Sequence, residues 1–141
     1  MSQGPERSDR SAPLLVGWER LTTSLMADVR RLPASFRHNL AQYINRELLD
    51  GLVLLSGLSY LPSPQRLSAL ERLDRHLATL KVLLRQAHMQ GALSHGQYDV
   101  YVQQTFELGR MLGGWQKHLQ AQRKTNPHAH PIQDSAGRGE R

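Results

Sequence analysis

Leucine recurs at intervals of three and four residues along four stretches of this chain, and proline or glycine breaks the pattern between them. That rhythm fits an α-helix of roughly 3.6 residues per turn and no strand, because a strand changes face at every residue. The first stretch runs from about Leu14 to Leu32. In it Trp18, Leu21, Leu25 and Leu32 share a side, and Val29 falls one position off it. Pro33 ends the stretch, since proline drives the residue before it out of the helical region. The second runs from about Ser35 to Tyr60, with Leu40, Ile44, Leu48, Leu52 and Leu55 on one side and Pro62 and Pro64 closing it. The third opens at Ser63 or Pro64, where a serine cap and an early proline suit a first turn. It carries Leu70, Leu73, Leu77, Leu80, Leu84 and Ala87 and stops at Gly91. The fourth begins near Ser94, aligns Tyr98, Val102, Thr105, Leu108, Leu112, Trp115 and Leu119, and frays around Arg123.

No segment combines two-residue alternation with β-branched enrichment, so the expected class is all-α. Four amphipathic helices on short turns predict an up-down-up-down four-helix bundle over residues 14–122. Residues 1–13 and the basic tail 123–141 are polar, carry helix breakers and are expected to be disordered. At 141 residues the chain has room for one domain. Leu49, Val53 and Leu54 make the second half of helix two apolar nearly all round. An exposed apolar patch of that kind marks an interface, which predicts self-association, with Leu52, Leu55 and Trp115 as helix-packing or oligomer contacts.

Several function classes drop out. With no cysteine there is no disulfide, thiolate metal site or cysteine nucleophile. Leu48 to Leu61 is the most apolar segment, but it falls short of the roughly 20 residues that span a bilayer and carries Asp50. Nothing near the start resembles a signal peptide, so a reducing, cytoplasmic location without membrane contact is expected. His128 and His130 form an HxH pair without supporting ligands. Glu107 is followed three positions later by Arg110, where a di-iron bundle would place histidine. His38, His76, His88, His95 and His118 read as surface or interface residues, and Ser56 and Ser94 lack an activating partner. No glycine loop cradles a phosphate. The expectation is a binding module without catalytic residues, metal or cofactor.

Helix four carries Gly109, Gly113 and Gly114, each costing roughly 1 kcal/mol relative to alanine. Gly109 and Gly113 share a face and admit close approach of a backbone or ring, either within the bundle or between subunits.

The formal charge is +6, and the isoelectric point near 10.3 keeps the protein cationic. Residues 62–91 hold five basic against two acidic residues, and residues 123–141 hold four against two. On helix three, Lys81, Arg85 and His88 follow at spacings of four and three, with Arg72 and Arg75 nearer its start. On helix four, Arg110, Lys117 and Lys124 recur every seven residues, and Arg123 lies beside the last. Cations held on stiff helices can track phosphates without reading bases, giving sequence-tolerant, salt-dependent binding. The alternative is an ordinary solvated face.

Leu108-Gly109-Arg110-Met111-Leu112-Gly113-Gly114-Trp115, preceded by Ser94 and Gln97-Tyr98, resembles the C-terminal signature of the Avd family, the accessory variability proteins of diversity-generating retroelements. Leu77 to Arg85 resembles that family's L-x-x-L-[RK]-x-x-L-R pattern, and Leu32-Pro33 its hydrophobic-proline step. The resemblance covers about residues 16–120. It implies four-helix protomers assembled into a barrel-shaped, ring-like homopentamer with a basic surface. It further implies partnership with the retroelement's reverse transcriptase and binding of template RNA or DNA, in support of error-prone cDNA synthesis. Lys81, Arg85 and Arg110 fall on matching basic positions, whereas Arg72, Arg75, Lys117, Arg123 and Lys124 are candidates from charge geometry alone. The family's basic residue after the helix-one proline is replaced here by Ala34 and Ser35, with Arg37 nearby. A different class of function, a self-assembling structural bundle with unrelated protein partners, is the alternative expectation.

Overall fold

Apolar stripes at helical spacing have to be covered, and here they cover one another. The computed structural model describes residues 3–125, with side-chain surroundings from Ser11 to Lys124. The described residues are all-helical: α1 (Gln3–Arg30), α2 (Ala34–Arg37), α3 (Leu40–Ser56), a 3-10 turn (Leu58–Tyr60), α4 (Ser63–Met89) and α5 (His95–Thr125). Among the four long helices, α1 packs on α3 and α5, and α4 packs on the same two. The order around the core is therefore α1, α3, α4, α5. Consecutive long helices are neighbours, as short connections require.

The core is mostly leucine, with Trp18 as its largest fully buried side chain. Its indole Nε1 donates to the Leu48 carbonyl across 2.8 Å, and the ring rests on the backbone of α3 at Gly51. A buried N–H without a partner costs about 1–3 kcal/mol, so this bond and this contact fix how α1 sits on α3.

Several boundaries differ from the sequence reading. Helix α1 begins at Gln3, ahead of the expected start at Leu14, and runs through Pro13. Glu6, Arg7, Arg10 and Ala12 are good helix formers. A helix already anchored by the buried turns at Leu14 and Trp18 extends at little cost. Val29, placed off the stripe, is buried with it. The single second helix divides into α2, α3 and the 3-10 turn. The side-chain oxygen of Asn39 accepts from the Leu40 N–H and starts α3 afresh. At its other end the Gly57 N–H reaches Val53 O at 3.3 Å, and the chain tightens so that Leu58 enters the core.

No serine caps α4. Pro62 holds the N-cap position without a side-chain bond, and Ser63 is already inside the helix. Its exit is as expected: Gly91 has φ +81°, Ala92 N–H reaches Ala87 O at 2.8 Å, and Gly91 N–H reaches His88 O at 3.0 Å. That pair of bonds is a Schellman motif, which needs a left-handed residue where glycine stands. Helix α5 opens with a reciprocal cap. Gln97 N–H donates to Ser94 Oγ at 3.1 Å, and Ser94 N–H donates to Gln97 Oε1 at 2.9 Å.

On α5 the buried row is Tyr101, Thr105, Leu108, Leu112, Trp115 and Leu119, so Tyr101 takes the inward place expected of Tyr98 and Val102. The Tyr101 hydroxyl can lie inside because it donates to Ser24 O at 3.1 Å and to the Asp28 carboxylate. No helix among the described residues is long and apolar enough to cross a membrane. Residues 126–141, including His128, His130 and most of the basic tail, lie outside the described residues.

Candidate functional site

Helices α4 and α5 face each other at Gly109, beside Leu77 and Lys81. A Cβ there would lie 3.5 Å from Leu77 Cδ2 and 3.8 Å from Lys81 Nζ. Both are ordinary van der Waals distances, so packing does not require glycine there, and the Lys81 ammonium lies over α5 at this point. Toward the turn between the two helices they diverge into a groove of about 390 Å3, lined by Lys81, Val82, Leu84, Arg85, Tyr98, Val102, Thr105 and Phe106. Lys81 and Arg85 are exposed and make no ion pair with a described residue.

The structure does not join all the α4 cations into one stripe. Successive helical residues turn by roughly 100°, which sets Arg72 about half a turn from Lys81. The α3 side of α4 is marked by His76, whose Nδ1 lies 2.7 Å from Glu47 Oε1. The α5 side is marked by Lys81 over Gly109. Arg72 belongs to the first side and Arg75 points outward, both exposed. His88 is no free cation on this face. It is half-buried and stacks on Tyr98 with ring centroids 4.5 Å apart and planes at 2°.

On α5, Arg110, Lys117 and Lys124 are exposed on the outer surface, on the same broad side as Phe106. Arg110 is paired with Glu107 one turn earlier, which offsets its charge and raises its pKa through that hydrogen bond and the carboxylate's field. Arg123 is half-buried and already engaged in an interaction. The unpaired cations nearest the groove are Lys81 and Arg85.

The other glycines and apolar candidates separate as well. Among the described residues, a Cβ placed on Gly113 or Gly114 would meet nothing within 4 Å, so neither glycine is required by the packing described there. Leu55 and Trp115 belong to the protomer's own core, and Leu52 is packed against it. The apolar surface that α3 leaves open is instead Leu49, 44% exposed, and Val53, 73% exposed. Arg37, near the replaced basic position after Pro33, donates to the Leu32 carbonyl at 2.9 Å. With Arg30 and Asn45 it lines a second hollow, of about 410 Å3, between α1 and α3.

Sequence reasoning passed over Phe106 and Val82, which are 64% and 63% exposed beside the two free cations. Their signal was present: each falls off its helix's apolar row, at positions a helix normally gives to polar residues. Among the described residues no group of histidine, aspartate and glutamate could hold a metal ion.

A comparison with curated proteins found no match. The bAvd-like family matches residues 17–119, from the α1 glycine against which Leu108 packs to the last buried leucine of α5. Because the match takes in well over half the chain, with the α4–α5 groove, all of α3 and α4 and the core-facing parts of α1 and α5, this protein belongs to the bAvd-like family.

Proposed function

We propose that this protein is a non-enzymatic accessory subunit of a diversity-generating retroelement, acting in the cytoplasm. Its protomer is a four-helix bundle that assembles with copies of itself into a ring. It binds the retroelement's reverse transcriptase and its template RNA or DNA, and so supports error-prone cDNA synthesis. Polymerase chemistry belongs to the partner; this chain contributes position and charge.

The observation that carries the reading is the exposed Lys81–Arg85 pair, without an ion partner among the described residues, one helical turn apart on α4 within the family-matched stretch. Two cations fixed on a rod can meet successive phosphates, and the counterions they displace make affinity fall with salt. Membership of the bAvd-like family favours the retroelement setting over other polyanions. The exposed Leu49 and Val53 favour self-assembly, since a contiguous apolar face on a soluble protomer usually marks an interface. Self-assembly alone, with unrelated protein partners, is the second reading that those two residues support.

Titration of a structured RNA at rising salt separates the two. Wild type is expected to bind at low salt, with affinity falling steeply as salt rises. The double variant K81E/R85E should lose most of that affinity and flatten the slope by about one unit per charge removed. RNA binding and reverse-transcriptase capture that both survive the change would leave the structural reading. Val53→Glu should in turn dissociate the assembly, measured by light scattering, without unfolding the protomer.

A further inference from the structure

We infer that the α4–α5 groove binds unpaired nucleotides, their bases stacking on Phe106 and on the Tyr98–His88 pair while Lys81 and Arg85 hold the phosphates. This rests on the reading of those cations as polynucleotide contacts and adds which form of polynucleotide they take.

Phosphate attraction alone would be served by cations on any surface. Here an exposed phenyl ring and Val82 share the groove with them, and the described lining contains no carboxylate that would repel a phosphate. Tyr98, which lines the end of the groove, lies parallel to His88 at 4.5 Å, and that stacking holds its ring in place. Eight residues separate Tyr98 from Phe106, roughly 12 Å along α5. The two aromatic positions are thus held apart on one rigid rod, with Arg85 and Lys81 alongside on the other.

Aromatic side chains interleaved with cations are the chemistry of single-strand binding, because every unpaired base offers a face to stack. A duplex has already stacked its bases internally and gains only from the cations. An amphipathic helix of a protein partner suits the groove less well. Such helices dock through a row of apolar anchors, whereas the α4 wall offers Lys81 and Arg85 with Val82 as its exposed apolar side chain.

The test uses the full chain, a labelled oligo-uridylate and an RNA duplex of equal length. Phe106 is 64% exposed, so Phe106→Ala is expected to leave the circular-dichroism melt unchanged. It should weaken single-strand binding about tenfold, the loss of one stacked base, while duplex affinity and both salt slopes stay the same. Phe106→Trp should retain single-strand affinity. Equal loss for both strand forms, or no loss for either, overturns the inference. If single-strand affinity is untouched and only capture of the reverse transcriptase is lost, the groove belongs to a protein and the inference also falls. In each of these cases the K81E/R85E variant still reports separately on the cations: its loss of binding keeps the phosphate reading, and retained binding removes both.

Discussion

The Trp18 indole lies against Gly51 so closely that a Cβ on Gly51 would overlap its six-membered ring. The same indole donates to Leu48 O at 2.8 Å, one turn earlier on α3. Ring and helix therefore have no slack. Glycine to alanine in a helix normally gains about 1 kcal/mol, but overpacking a rigid ring against backbone costs about 1–3 kcal/mol or more. Gly51→Ala is expected to destabilise by about that amount. Urea denaturation should show a lower midpoint at unchanged slope, and a raised midpoint would refute the contact.

Two other glycines should answer in opposite directions. Gly91 sits at φ +81° with no neighbour within 4 Å, so alanine there meets backbone strain alone. The expected loss is about 1–2 kcal/mol. Gly113 is also unobstructed but lies inside a helix, so Gly113→Ala should stabilise the protomer by up to about 1 kcal/mol. Thermal melts of both variants check the signs. If Gly113→Ala also breaks a larger assembly in sedimentation, that face is covered by another subunit.

Burial, with help from the adjacent Asp28 carboxylate that accepts its hydrogen bond, pushes the Tyr101 phenol well above its ordinary value. An unfolded tyrosine ionises near pH 10, whereas the folded one keeps its proton. Stability drawn from neutral Tyr101 is therefore intact below about pH 10 and is lost as pH climbs from there toward the folded value. Wild type should show this alkaline decline, and Tyr101→Phe should lack its tyrosine component. At neutral pH that variant should lose about 1 kcal/mol for the missing hydrogen bonds. Denaturation series at neutral and alkaline pH test both halves.

Arg110 spends part of its charge on Glu107. Removing that carboxylate with Glu107→Gln should tighten polyanion binding, and Arg110→Ala should weaken it less than Arg85→Ala does. Solvent screens an exposed pair of this kind, so neither α5 change should move the melting temperature much. Filter binding at fixed low salt measures the ranking. A loss on Arg110→Ala as large as on Arg85→Ala would mean that the ion pair opens in the complex.

Much of this architecture was legible in the amino-acid order because its causes are local. Leucine spacing, Pro33, Pro62 and Gly91 act within one turn of their own backbone, so they set the all-helical class, most helix ends and the inner row of α4. Where a helix continues depends on what already anchors it, which is why α1 runs back past Pro13 and helix two breaks at Asn39. The charged groups were identifiable as a set but not as a surface. Lys81 and Arg72 look alike in the sequence, yet the rotation that buries Leu77 and Leu80 turns one toward α5 and the other toward α3. Likewise Tyr101, not Tyr98, turns inward because Ser24 and Asp28, more than seventy positions away, receive its hydroxyl. The sequence alone determined that the chain forms rods and where Pro33, Pro62 and Gly91 interrupt them. Only their packing decided which side chains share a groove, because each rod's rotation is set by partners distant in the chain.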